Sequence, residues 1–320
     1  MTVISHFGAA ASAAANFWRL RTSVLQRNSV GGLLMTLVRS TALPALFVLL
    51  WATGFIGAKF GLPYAPPLTF LLLRFAIVIT LMAVIAWVMR APWPRGAQAV
   101  HVAIAGVLLQ AGYLGGVFCA IDLGMTAGLS ALIVGLQPIL TAVFASSVGE
   151  QVSRRQWTGF VLGFGGVVLV LWNKIGYAGF GWEAVACASV ALASITAGTI
   201  YQKRYCGAQD LRTQSVVQFI AAGAVLLPLA WLFEQRPIVW SGQFLFALGW
   251  LVVVLSLGAI SLLLVLIRRG ATTQVSSLMY LVPPATALMA WAWFGEVLTP
   301  LGLAGMVVAV IGVALVVRPA

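Results

Sequence analysis

Residues 124–172, GMTAGLSALIVGLQPILTAVFASSVGEQVSRRQWTGFVLGFGGVVLVLW, return at an offset of 146 as residues 270–318, GATTQVSSLMYLVPPATALMAWAWFGEVLTPLGLAGMVVAVIGVALVVR, with 13 identities in 49 ungapped positions. Gly124, Thr126, Pro138, Gly149-Glu150, Gly159 and Gly166 match Gly270, Thr272, Pro284, Gly295-Glu296, Gly305 and Gly312. Each copy closes a run of five very apolar segments. Five is odd, so the second copy has to enter a membrane from the side opposite to the first. Inverted repeats of this kind mark transporters that bind substrate between two halves near the bilayer midplane.

Composition agrees. The chain is 62% apolar and 8% charged, with a mean hydropathy of +1.06, whereas a soluble domain carries roughly 45–50% apolar and about 25% charged residues. Ten stretches are long enough to cross a hydrocarbon core of about 30 Å as helices: 41–60, 67–89, 98–121, 126–147, 156–173, 179–201, 213–233, 243–267, 272–294 and 299–317. The expectation is an all-α integral membrane protein with ten transmembrane helices in two inverted five-helix repeats. A tail at 1–39 precedes repeat one (40–173) and repeat two (174–320).

The net charge of +12 would suit nucleic acid, but its placement excludes that partner. With loops assigned alternately to two sides, one side collects Arg19, Arg21, Arg27, Arg39, Arg90, Arg95, Arg154, Arg155, Lys203, Arg204, Arg212, Arg268, Arg269 and Arg318. The other collects Lys59, Lys174 and Arg236, and Arg74 lies inside a span. A 14-to-3 split follows the positive-inside rule and puts both termini in the cytoplasm. The expected partners are therefore the lipid bilayer and a small-molecule substrate. The expected location is the inner (plasma) membrane. Two repeats in one chain make a monomer sufficient.

Cys119, Cys187 and Cys206 have no CxxC spacing and no neighbouring His, so they read as small buried fillers and no metal or other cofactor is expected. The first 39 residues lack the compact apolar region and cleavage motif of a signal peptide. Two readings of them stand open: a natural start at Met35 that leaves the upstream part dispensable, or a cytoplasmic, partly interfacial tail.

Small residues recur at helical spacing, in Gly112-x-x-x-Gly116 and Gly159-x-x-x-Gly163, and Gly305 and Gly312 take the places of Gly159 and Gly166. Such residues let helix backbones approach where lipid gives apolar faces no reason to associate.

On these residues the chain resembles a known family. Ala127–Leu171, with Gln137-Pro138, Gly149-Glu150 and the glycine-rich fifth span, is similar to the C-terminal half of an EamA domain, and Leu281–Pro284, Gly295-Glu296 and Gly302–Leu315 to a second copy. Trp51-x-x-Gly54-Phe55 and Arg74-Phe75 also resemble the first-domain pattern; the likeness covers about residues 41–318. It implies the drug/metabolite transporter superfamily, ten-helix branch, and a two-fold pseudosymmetric basket around a central cavity. It further implies export of small metabolites, foremost amino acids or related compounds, with a multidrug or toxic-compound exporter or a channel-like facilitator as alternatives. The sequence departs from that symmetry at Arg74, whose counterpart is Ile220.

Ionisable groups inside a membrane are expensive and point to function. Arg74 lies about seven residues into span two, roughly 10 Å deep at ~1.5 Å per residue. A guanidinium there matches a substrate carboxylate, or pairs with Asp122 at the end of span three. Trp51 and Phe55 share a face of span one with Lys59 at i, i+4, i+8; Tyr113, Tyr201 and Tyr280 add aromatic surface carrying hydroxyls. Gln137 stands beside Pro138, and Pro284 is the matching break in span nine; such prolines free backbone carbonyls toward a cavity. The polar run Thr272, Thr273, Gln274, Ser276 and Ser277 precedes Pro283-Pro284. The expected substrate site is therefore Trp51, Phe55, Arg74, Tyr113, Gln137, Tyr201 and Tyr280, with Asp122, Pro138, Glu150, Pro284 and Glu296 in gating or structural roles. Glu150 and Glu296 each follow a glycine at a span end, where a carboxylate caps helix N-terminal amides.

No Asp or Glu falls in the middle of a span; Asp122 and Glu183 are near ends. Exchange or facilitated export by alternating access fits this better than an obvious proton antiporter. An enzyme would need a nucleophile–base pair or a metal cluster, and the few His, Asp and Glu are scattered without an HExxH. A channel would need a continuous pore.

Overall fold

The computed structural model describes residues 30–147, 153–172, 180–207, 209–259, 262, 279–297 and 299–317. The chain divides into two units, Met1–Leu46 and Phe47–Ala320. Of the first, residues 30–46 are described and are helical; the architecture that follows is that of the second.

Every described regular element is a helix. In chain order they are α1 (Val30–Gly61), α2 (Pro67–Val88), α3 (Ala97–Asp122), α4 (Ala127–Val134), α5 (Gln137–Ser147), α6 (Arg154–Trp172), α7 (Trp182–Tyr205), α8 (Leu211–Phe233), α9 (Gly242–Ala259), α10 (Val282–Phe294) and α11 (Pro300–Val317). Among the described residues, six segments are long and apolar enough to cross a membrane: Ala45–Tyr64, Pro67–Val88, Ala97–Asp122, Trp182–Tyr205, Leu211–Phe233 and Gly242–Ala259. Ala127–Thr141 and Pro300–Leu315 are shorter apolar helices. The chain is thus a multi-pass membrane protein.

Local chemistry sets the element ends. Pro66 holds an extended backbone and Pro67 opens α2 at its first position, where a missing N–H does no harm. Thr126 caps α4, its hydroxyl accepting the Leu129 N–H at 3.3 Å. Gly295 closes α10 in the left-handed region at φ 64°, a conformation that any side chain would strain. It thereby carries Glu296 clear of the helix end. The expected fourth span is two helices, because Pro138 has no N–H to give the carbonyl of Val134 and the chain turns at Gly135–Leu136.

Two stretches depart from the α-helix expected of a plain span. Val107–Leu114 in α3 and Trp250–Ala259 in α9 are π-helical. Shifted by the repeat offset, the first falls on 253–260, overlapping the second. The duplication thus preserves a local backbone irregularity together with three residues at this offset, Val107/Val253, Leu109/Leu255 and Gly112/Gly258. Wide π turns collect at functional sites.

Helices pack through small residues. A Cβ on Gly166 would stand 2.5 Å from the backbone of Ala309 and of Gly305, and one on Gly312 would strike the backbone of Gly163 and Gly159, so α6 and α11 touch main chain to main chain. Gly116 of α3 meets the Cys187 carbonyl of α7 in the same way, 2.6 Å from a would-be Cβ. Cys206 is buried, as expected of a filler, but Cys119 and Cys187 are only half-buried, and their thiols meet across α3 and α7 beside this glycine contact.

Contacts define two ends of the bundle. At the Glu296 end, Glu234 accepts the N–H groups of Leu68 and Thr69, at 2.6 and 2.8 Å, and so caps α2. Arg236 reaches Asp122 at 2.8 Å and the carbonyls of Leu62 and Ala65. Phe70 packs there on Phe118 and Phe244, with centroids 5.4 and 5.1 Å apart. At the opposite, His101 end, Thr213 donates to the Pro92 carbonyl at 2.8 Å, and His101 Nδ1 lies 2.7 Å from the Tyr201 hydroxyl.

Candidate functional site

Four of the aromatic and polar residues expected at a substrate site meet at one cavity. Trp51 and Phe55 of α1, Tyr113 of α3 and Gln137 of α5 line it, with Pro138, Val134 and Gly135 at the break after α4. The second repeat contributes Ile195 of α7, Met279, and Val282 and Pro283 of α10. Both halves therefore build the site. Trp51 and Phe55 reach it together because i, i+4 spacing places them on one helical face.

The cavity has a volume of about 50 Å³. A water needs about 10–15 Å³ on this measure, so the space holds a few waters and no metabolite. Helices have to part before a substrate enters. Polar groups are few. Gln137 donates from Nε2 to Thr199 Oγ1 at 2.9 Å, and its Oε1 has no hydrogen bond among the described residues. No Asp, Glu, Lys or Arg lines the cavity among the described residues.

Arg74 stands outside this lining, 5% exposed. Its Nη2 and Nε donate to Ser256 Oγ at 3.0 and 3.3 Å. Ser256 in turn donates to the carbonyl of Leu251 five residues back, at 3.0 Å, so the π register of α9 aims the hydroxyl. Nη1 of Arg74 is buried with no partner among the described residues. Tyr113 lies within electrostatic reach of the guanidinium. The two π stretches thus carry Tyr113 on the cavity wall and Ser256 on Arg74.

Other expected residues lie elsewhere. Asp122 does not reach Arg74; it pairs with Arg236, because α3 ends at the surface while Arg74 is sunk in the bundle. Tyr201 is at the His101 end, hydrogen-bonded to His101 and 4.7 Å from the ring of Tyr205, and not at the cavity. Its position on α7 turns it toward α3's opposite end. Pro284 does not line the cavity, whereas the adjacent Pro283 does. Glu296 binds Lys59 and accepts the Ala127 N–H at 3.2 Å. Glu150, the side chain of Tyr280 and the polar run 272–277 lie outside the described residues.

Sequence reasoning missed a second polar group. Gln218 Nε2 donates to Gln202 Oε1 at 2.8 Å, and Gln214, one turn away on α8, is buried with Oε1 unpartnered among the described residues. The i, i+4 pair of amides in an apolar span was the available signal.

No group of three or more His, Cys, Asp or Glu able to hold a metal occurs among the described residues. The pattern of the EamA-like transporter family matches residues 40–172 and again 182–318. The "Uncharacterized transporter YvbV" of Bacillus subtilis is 28% identical over 87% of this chain and 91% of its own. The "Probable amino-acid metabolite efflux pump" of Salmonella typhimurium is 26% identical over 84% and 92%. The "Probable terminal-alkyne amino-acid exporter" of Streptantibioticus cattleyicolor is 26% identical over 85% and 91%. A solved chain described as "Crystal structure of protein" aligns with a TM-score of 0.59 at 22% identity, covering 87% of this chain and 96% of that one, which shows a common fold.

Proposed function

The chain belongs to the EamA-like transporter family, and from that premise we propose that it exports small metabolites, foremost amino acids or related compounds, across the inner membrane by alternating access. Ten helices in two inverted repeats, 40–173 and 174–320, rock about the shared cavity, with both termini in the cytoplasm. The observation that carries this reading is the cavity itself. It draws lining from both repeats, and its volume of about 50 Å³ is smaller than a substrate. A pore would leave a continuous path; a site too small for a substrate until helices move supports the carrier.

The lining indicates what is held. Trp51, Phe55 and Tyr113 give apolar and aromatic surface, and Gln137 Oε1 is placed to accept from an ammonium group. When the cavity widens, Arg74 Nη1, already desolvated and without a partner among the described residues, takes the carboxylate. An amino acid with an apolar side chain satisfies all three. The names of two relatives, an amino-acid metabolite efflux pump and an alkyne amino-acid exporter, agree with this class.

The test is counterflow of labelled amino acids in proteoliposomes. Saturable counterflow is expected. Flux that rises linearly with concentration and shows no counterflow overturns the carrier. Counterflow of uncharged compounds alone overturns the amino-acid assignment.

A further inference from the structure

One side chain outside the cavity joins the helices that build it. The Glu296 carboxylate binds the Lys59 ammonium of α1 and accepts the Ala127 N–H at the start of α4. Lys59 lies one and two turns beyond Phe55 and Trp51 on the same face. The far end of α4 delivers Ala131, Val134 and Gly135 to the cavity, and α10, which Glu296 follows directly, delivers Val282 and Pro283. Three lining helices are therefore tied at one end by one carboxylate. Its side chain is 9% exposed, so water competes poorly for it, and Lys59 lies 5.2 Å over the ring of Phe294, which limits where the ammonium can go.

We infer that Glu296 is a positioning residue for transport: it holds the Glu296 end of the cavity shut, and its release from Lys59 and from the Ala127 amide opens the site to that face of the membrane. This rests on the carrier reading above. Glu234, at the end of α8 and bonded to the start of α2, and Arg236 with Asp122 tie other helix ends at the same face and do not depend on Glu296.

A three-way hub behaves differently from an ion pair. An ion pair needs opposite charges in either order. The Ala127 N–H needs an acceptor at position 296, and an ammonium has none. The experiment uses a single reporter, Val134→Cys in the cavity wall, with Cys119, Cys187 and Cys206 changed to Ala. A membrane-impermeant maleimide is applied to right-side-out and inverted vesicles. Glu296→Gln and Lys59→Met are each expected to raise the labelling rate from the Glu296 face by about tenfold, the loss of one charge-assisted hydrogen bond. The rate from the opposite face does not rise. The exchange Lys59→Glu with Glu296→Lys is expected to stay fast. Unchanged labelling in both single variants overturns the inference, as does a rise from both faces, which reports a loosened fold. Recovery of the wild-type rate in the exchanged variant reduces Glu296 to an ordinary ion pair and overturns the hub. The labelling needs no substrate, so its failure leaves the carrier reading to be judged on wild-type counterflow alone.

Discussion

Replacing Arg74 by Met separates transport from stability. The guanidinium makes its two hydrogen bonds to a single acceptor, Ser256 Oγ, and leaves Nη1 buried and unpartnered among the described residues. Hydrogen bonds to a charged group contribute about 1.5–3 kcal/mol, and an unsatisfied buried donor costs about 1–3 kcal/mol. These oppose each other at nearly equal size. Met keeps the apolar stem of the side chain and removes both, so Arg74→Met should unfold within about 1 kcal/mol of the parent, as replacing buried ionic groups by apolar ones commonly does. Transport should respond otherwise. A charge-assisted bond to a substrate carboxylate worth about 1.5–3 kcal/mol corresponds to a loss of about ten- to a hundred-fold in kcat/KM. The assay is amino-acid counterflow beside thermal unfolding in detergent, with Arg74→Lys as a third variant. Lys keeps the charge but not the fork, and should fall between the two. A variant Arg74→Met that loses its fold shows the guanidinium to be scaffold. One that folds and transports at the parental rate shows that no substrate group reaches Nη1. Either result refutes the assignment.

Three further outcomes follow from the geometry. Trp51→Ala removes an aromatic wall of the cavity and should raise KM for amino acids with large apolar side chains more than for alanine, read by competition in counterflow. Gly312→Leu should abolish the folded protein, since its Cβ meets the backbone of Gly163 and overpacking costs about 1–3 kcal/mol or more where main chain cannot yield; Gly165→Leu, with nothing within 4 Å, should express normally. Asp210 caps α8 through the Arg212 N–H, and the Arg212 side chain, hydrogen-bonded to it, holds its carboxyl below the ordinary value. A depressed pKa means stability that is present above the unfolded value and lost as pH falls through the folded one, below about 4. Asp210→Ala should cost about 0.5–2 kcal/mol at neutral pH, whereas Asn, itself a good cap, should cost less and remove the acid dependence.

What could be read from the sequence depended on whether a property is local to a helix. Membrane class, the repeat and the turn at Pro138 are local, and each is where it was expected. So is the shared face of Trp51 and Phe55, fixed by i, i+4 spacing. Partners across the bundle are not local. Asp122 is drawn to Arg236, 114 positions away, and Tyr201 to His101, 100 positions away. In an apolar helix polar residues are few, so no amphipathic stripe shows which way any one of them faces. Pro283 and Pro284 are neighbours, yet only one lines the cavity, since successive residues point about 100° apart. The π stretches were invisible for a further reason. One extra residue in a turn changes no composition or hydropathy, and the residues that the matching stretches 107–114 and 253–260 share in register, Val107/Val253, Leu109/Leu255 and Gly112/Gly258, are common in any membrane helix. Yet the wide turn decides the site, because it lets Ser256 bond the carbonyl five residues back and turn its oxygen to Arg74. The duplicated element that matters most for Arg74 is therefore a backbone geometry, with Tyr113 placed on it in one copy and Ser256 in the other.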